Sequence, residues 1–244
     1  MTLDKLRNKA SERVGVIAAM PVEARALGAS EPFNQILELT SNTYAYVCGA
    51  GPDNARRAMQ ELLTMNVAGV VSWGTAGGLT PNLVPGTALL SKKVICADSA
   101  YETDGYWAGR LRDHFNSILT INDEAIYSSG QLVSGMAEKK RLANETGAVA
   151  VDMESGAIAK TAVAAGVPFV CVRAVADPFD FSLPGALSSA LDEKGFPTIN
   201  GALQGLLRRP ADIVPMLRLA VYFRKATRTL TVMSRVAGPG LLGP

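Results

Sequence analysis

The 244-residue chain is 48% hydrophobic and 19% charged with a formal net charge of +2, enough apolar material for a sizeable core and no global bias toward nucleic acid. Cys48, Cys96 and Cys171 are widely spaced and odd in number, which argues against a disulfide frame or a cysteine-based metal site and predicts the reduced thiols of a cytoplasmic protein. The charged opening MTLDKLRNKASER lacks the apolar segment of a secretion signal, and no apolar run reaches the ~18 residues of a membrane span.

In chain order, VGVIAA (14–19) is a short apolar run ending at Met20-Pro21, as a buried strand ends in a loop. YAYVCGAG (44–51) is a second strand, and 53–65 has helical spacing through Ala55, Met59 and Leu62, with Asp53 as cap. AGVVSW (68–73) is a strand running into the glycine turn GTAGG, and GTALLSKKVICAD (86–98) is another strand. Residues 99–120 hold Tyr101, Tyr106, Trp107, His114 and Phe115 without a clean period, and are expected to form a surface excursion able to act as a lid. SILTI and AIYSS predict strands, AEKKRLANE a polar helix, GAVAVDM a strand, SGAIAKTAVAAG a helix of small residues, and VPFVCVRAVAD (167–177) a final strand. Alternating strands and helices predict an α/β fold with a largely parallel sheet, whose ligands bind outside the carboxyl ends of the strands.

Two glycine-rich segments, CGAGP (48–52) and WGTAGG (73–78), follow strands, so their backbone N–H groups can face an anion or a ribose, with the Thr75 hydroxyl as a further donor. Neither completes a dinucleotide fingerprint, because Asn54 stands where a third glycine belongs. Glu23, Asp152, Glu154 and Asp177 all sit at strand ends, and carboxylates delivered there from separate strands can converge on one pocket. A Ser-His-Asp or Cys-His site would have to use the single histidine, His114. No metal-ligand spacing and no Walker loop is present.

The ordered set VGVIAAMPVEARAL, WGTAGGL, VDMESGAIA and VRAVADPFD resembles the superfamily of purine nucleoside phosphorylases and methylthioadenosine/S-adenosylhomocysteine nucleosidases over roughly residues 13–180. The arrangement is also similar to the hopanoid-associated phosphorylase branch, implicated in removing adenine from adenosylhopane. The resemblance implies a three-layer α/β fold with a mixed, largely parallel central sheet flanked by helices. It implies cleavage of the N-glycosidic bond of a 5'-substituted adenosine, with adenosylhopane the leading substrate. Hydrolysis of methylthioadenosine or S-adenosylhomocysteine, and a non-enzymatic nucleoside sensor, stand as alternatives.

Under the resemblance, Asp177 matches the acid that serves purine N7, Glu154 the ribose 2'-hydroxyl ligand with Met153 packing on the sugar, and Glu23 the acid beside the attacking water. Thr75 and Gly74 lie in the segment that touches phosphate or water, Val133 near the adenine edge, and Gly51 in the other glycine turn. Such chemistry needs a proton donor at the base and anionic groups near a sugar that gains positive charge. Ser72 stands where many phosphorylases of this kind carry a phosphate-gripping arginine. Phosphorolysis therefore depends on Arg56, with Arg57 and Arg25 as further candidates, and water or inorganic phosphate both stand as acceptor. Asp152 receives no role. No cofactor and no metal is implied, and a homodimer or higher homo-oligomer is expected.

The end of the chain differs in charge from its body. Residues 205–244 hold seven Lys/Arg and one acid, leaving 17 basic and 21 acidic residues in 1–204. A catalytic domain over 1–204 and a basic helical extension over 205–244 are expected. From Pro215 onward Met216, Leu219, Phe223 and Leu230 fall on one helical side and Arg218, Lys225 and Arg228 on the other. Such a helix either packs on the body or contacts the inner face of an anionic membrane.

Overall fold

A computed structural model describes residues 13–190, 192–238, 241, 243 and 244. The charged opening segment therefore lies outside the described residues, apart from Arg13. The elements are β1 (Val14–Ala18), α1 (Pro21–Arg25), β2 (Ile36–Thr40), β3 (Thr43–Val47), α2 (Pro52–Leu63), β4 (Gly69–Gly78), β5 (Ala88–Ser91), β6 (Lys93–Ile95) and β7 (Ala100–Glu102). They continue with α3 (Gly105–Phe115), β8 (Ile121–Asn122), β9 (Ile126–Ser128), α4 (Met136–Thr146), β10 (Ala150–Asp152), α5 (Ser155–Ala164), β11 (Phe169–Asp177), α6 (Ile199–Arg208) and α7 (Ile213–Ala237).

The strands form one mixed, mostly parallel sheet in the order β2-β3-β1-β4-β10-β9-β6-β7. β11 joins parallel to β4 and antiparallel to β5, which leads on to β8. Side chains alternate across it, as the two-residue strand period requires. Val14, Val16 and Ala18 of β1 and Val170 and Val172 of β11 pack on one face with Trp107 of α3 and Leu230 and Met233 of α7. Ile17, Val70 and Cys171 pack on the other with Met59 and Leu62 of α2 and Ile158 of α5. Three layers result, matching the expected α/β fold.

Several elements depart from expectation. The segment 99–120 is β7 and α3 rather than a loose excursion. Trp107, Ala108, Leu111 and Phe115 are buried along one side of α3, its N-terminus is capped by the Asp104 carboxylate accepting from the Trp107 N–H, and the Trp107 indole donates to Leu241 O at 2.9 Å. Helix α2 starts at Pro52, preceded at the N-cap position by Gly51, whose φ of 108° only glycine adopts readily. Asp53 is no cap; it pairs with Arg56 at the surface. The run 86–98 breaks into β5 and β6, and the WGTAGG segment is not a turn at all, because β4 continues to Gly78.

The boundary expected at 204/205 falls inside α6, and α7 lies against β11. No helix among the described residues is long and apolar enough to cross a membrane. Cys48, Cys96 and Cys171 are free thiols, and burial pushes the Cys171 thiol up to about 11.

Candidate active site

A cavity of about 420 Å³ opens beside the C-terminal ends of β1, β4, β10 and β11, and Glu23, Glu154 and Asp177 all line it. Each carboxylate arrives by a different route. Glu23 sits in the first turn of α1, where its Oε2 accepts the Met20 N–H at 3.0 Å and its Oε1 accepts the Thr75 N–H at 2.8 Å and hydroxyl at 2.7 Å. Glu154 follows β10, which runs back antiparallel along the end of β4 with Val151 opposite Gly77. Its Oε1 accepts the Gly51 N–H at 2.7 Å. Asp177 ends β11 opposite Gly77.

Glycines in β4 make these approaches possible. A Cβ at Gly74 would stand 3.1 Å from the Glu23 carboxyl group, and one at Gly77 would stand 3.1 Å from Asp177 Oδ2. The strand therefore carries no side chain where two acids lie on it.

Burial disfavours the charged form of all three acids. Glu154 is pushed up to about 7 by burial and by the nearby Asp152, against the Gly51 hydrogen bond and Arg173. Glu23 is raised by burial, partly offset by its Thr75 and Met20 hydrogen bonds. Asp177 is raised by burial despite Lys139, whose Nζ donates to Asp177 Oδ2 at 2.5 Å, Pro178 O at 2.8 Å and Phe181 O at 3.1 Å. All three ammonium hydrogens are thus engaged, and Lys139 is fully buried.

Asp152 now has a role. Arg173 of β11 reaches across β4, donating from Nη2 to Ser72 Oγ at 2.7 Å and to Asp152 Oδ2 at 2.6 Å, with Nε adding a bond to Asp152 at 2.9 Å. Asp152 also accepts from the Ser155 N–H and hydroxyl at the start of α5. One buried ion pair, with Asp152 in the cavity wall, therefore ties β11, β4, β10 and α5 together.

Val133, Met153 and Thr75 line the cavity, whereas Gly74 leaves room for Glu23 and Gly51 donates to Glu154. Arg56 is corrected: its guanidinium pairs with Asp53 on the exposed side of α2, because the helix turns that face away from the sheet. Arg57 bonds Asn54 and Arg25 pairs with Glu31, both at the surface. The CGAGP turn is no open anion cradle either. Its Gly49 N–H donates to Ala19 O, Ala50 N–H to Gly195 O and Gly51 N–H to Glu154. His114 lies on the exposed side of α3 with Nδ1 against Arg110 O, so no nucleophile is built on it. Among the described residues no His, Cys, Asp and Glu cluster is placed to hold a metal ion.

Lys139 and Arg173 were not singled out from sequence. Lys139 lies three residues before the buried Leu142, hence on the inner face of α4, and Arg173 interrupts an all-apolar strand. Both positions carry a signal of burial, but the partners are 38 and 21 residues away.

Three desolvated carboxylates thus meet around one cavity at the strand ends of a mixed α/β sheet, an arrangement able to carry acid and base chemistry at a glycosidic bond. The sequence model of the phosphorylase superfamily matches residues 13–209, and the chain belongs to that superfamily. It is 28% identical over 199 residues to the 5'-methylthioadenosine/S-adenosylhomocysteine nucleosidase of Haemophilus ducreyi, covering 69% of this chain and 86% of the relative. The nucleosidase of that name from Buchnera aphidicola is 23% identical over 205 residues, covering 71% and 81%. Among solved structures, the Neisseria meningitidis nucleosidase in complex with methylthio-immucillin-A superposes with a TM-score of 0.70 at 18% identity, covering 95% of this chain and 98% of that one. Futalosine hydrolase of Helicobacter pylori gives 0.68 at 16% identity, covering 93% and 97%.

Proposed function

We propose that the enzyme hydrolyses the N-glycosidic bond of a 5'-substituted adenosine of the methylthioadenosine/S-adenosylhomocysteine class, releasing adenine. The observation that carries this reading is the convergence of Glu23, Glu154 and Asp177 on one cavity whose neighbouring cations are already paired. The named nucleosidase relatives support it. Asp177 gives a proton to purine N7 as the bond to the sugar lengthens, Glu154 holds the 2'-hydroxyl and opposes the positive charge on the ribose, and Glu23 takes a proton from the attacking water. The products are adenine and the free 5'-substituted ribose.

Water is preferred to phosphate as acceptor for an electrostatic reason. A phosphate dianion would enter a cavity lined by four acids, Glu23, Asp152, Glu154 and Asp177, and Arg173, the cation nearest the position of Ser72, is held by Asp152. A longer apolar 5' group, as in adenosylhopane, is favoured by one feature: Leu183, Leu187, Leu219 and Phe223 form an apolar wall to the cavity.

Adenine release from methylthioadenosine, adenosine and adenosylhopane, each with and without phosphate, tests both points. Release without phosphate is expected; a strict need for phosphate rejects hydrolysis, and no release from any of the three rejects the function. Asp177→Asn is expected to lower kcat by roughly 100-fold or more while nucleoside affinity changes only a few-fold.

A further inference from the structure

Among the described residues, seven of the large hydrophobic side chains that stand exposed fall within residues 199–221. On α6 they are Ile199, Leu203 and Leu207, and on α7 Ile213, Val214, Leu217 and Val221. Ile199, Leu203 and Leu207, and likewise Ile213, Leu217 and Val221, repeat every four residues, with Val214 beside the second row, so each helix shows one apolar stripe to solvent. A short turn through Pro210 joins the two helices.

The outward stripe of α7 changes character along its length. Ile213, Leu217 and Val221 are followed at helical spacing by Arg224 and Arg228, all exposed, with Lys225 beside them. The opposite stripe, Ala226, Leu230, Met233 and Ala237, is buried on the body. Arg208, Arg209 and Arg218 add charge around the apolar part. The lone acid of the region, Asp212, accepts the Ala186 N–H at 2.8 Å and so is turned toward the body.

We infer that this pair of helices docks the enzyme on an anionic lipid bilayer. The exposed apolar positions of α7, Ile213 to Val221, span about 12 Å along the helix axis, comparable to the depth between acyl chains and headgroups at a bilayer surface, and Arg208, Arg209, Arg218, Arg224 and Arg228 surround them. An exposed apolar row bordered by arginines suits an anionic bilayer surface, with the long cationic side chains reaching the headgroups. A second copy of the chain offers a mildly acidic body, which complements the arginines but not the apolar row between them. The same turns of α7 carry Leu219 and Phe223 into the cavity wall, so docking sets the cavity about one helix diameter, ~10 Å, from lipid.

The test uses the full chain in flotation with vesicles of phosphatidylcholine alone or with about a third phosphatidylglycerol. Retention on the anionic vesicles at low salt is expected, at least ~10-fold weaker on neutral ones and weakened again by high salt. Leu217→Glu with Val221→Glu, and separately Arg224→Gln with Arg228→Gln, should each weaken retention ~10-fold. Release of adenine from soluble methylthioadenosine by these variants should stay within about twofold, which shows that they fold. No retention, equal retention on neutral vesicles, or variants that bind as well as the parent chain would each overturn the inference. Absence of vesicle binding together with a change in oligomeric size in the Leu217/Val221 variant would assign the face to a second copy instead.

Discussion

At neutral pH the Glu154 carboxyl, pushed up to about 7, is divided between two protonation states, and each state serves a different end. The ionised form is the one that opposes a positive ribose, so Glu154 should give kcat/KM a limb that rises with pH through about 7. The protonated form is the one the fold prefers. Because the folded value lies above the unfolded value near 4.5, the proton's contribution to stability is complete below 4.5 and is lost as pH rises through about 7. Glu154→Gln keeps an oxygen for the Gly51 N–H and has no charge to bury. It should be nearly inactive, lose the pH limb, and be more stable than the parent at pH 8 by up to ~3 kcal/mol, with the difference vanishing near pH 4. Urea unfolding at both pH values measures this, and equal stability at pH 8 would show that Glu154 is not desolvated.

Lys139 and Asp177 pose a related problem, because neither is satisfied alone. Lys139→Met leaves a buried carboxylate and the Pro178 and Phe181 carbonyls without their donor, and removal of one member of such a pair costs about 3–5 kcal/mol. Adding Asp177→Asn to Lys139→Met removes the stranded charge and should recover part of that loss. A double variant as unstable as the sum of the two singles would mean that the pair is not coupled.

On the scale of elements, the long strands were legible because burial on both faces leaves runs such as VPFVCVRAVAD with almost no polar residue. α3 was hidden although its buried positions 107, 108, 111 and 115 are helically spaced, because Gly105, Gly109 and polar aromatics blur the pattern. The glycines of β4 misled in a more instructive way. Glycine after a strand ordinarily marks a turn, but here it lets two acids lie on the strand itself. Glu23, Glu154 and Asp177 were accordingly readable as strand-end acids, whereas the engagement of Arg173 by Asp152 depends on pairing across β4, which no local pattern records. Gly77→Ala tests the strand's part. The added methyl must displace the Asp177 carboxylate by a few tenths of an ångström or more, and misplacement of that order should lower kcat about 10-fold or more while the far-UV circular dichroism is unchanged. An unchanged kcat would show that Asp177 tolerates the shift.

For the molecule as a whole, α7 joins three functions that would otherwise be separable. Its C-terminal half fills the core with Leu230 and Met233, its middle gives Leu219 and Phe223 to the cavity, and Tyr222 meets Phe181 edge to face at 5.4 Å between ring centres. Phe181 O in turn accepts from Lys139, which holds Asp177. Removing residues 205–244 therefore does not simply free an enzyme from its tail. It exposes the β11 face and deprives the Trp107 indole of its acceptor at Leu241. Loss of two large core side chains alone costs about 2–5 kcal/mol each, comparable to the entire stability of an ordinary domain. The truncated chain should fail to give a cooperative thermal transition, whereas Phe223→Ala should fold. That point variant should raise KM for nucleosides with long apolar 5' groups by about 10-fold more than for methylthioadenosine, since only the longer group reaches the apolar wall. A uniform rise in KM for both would place Phe223 against the part of the nucleoside that they share.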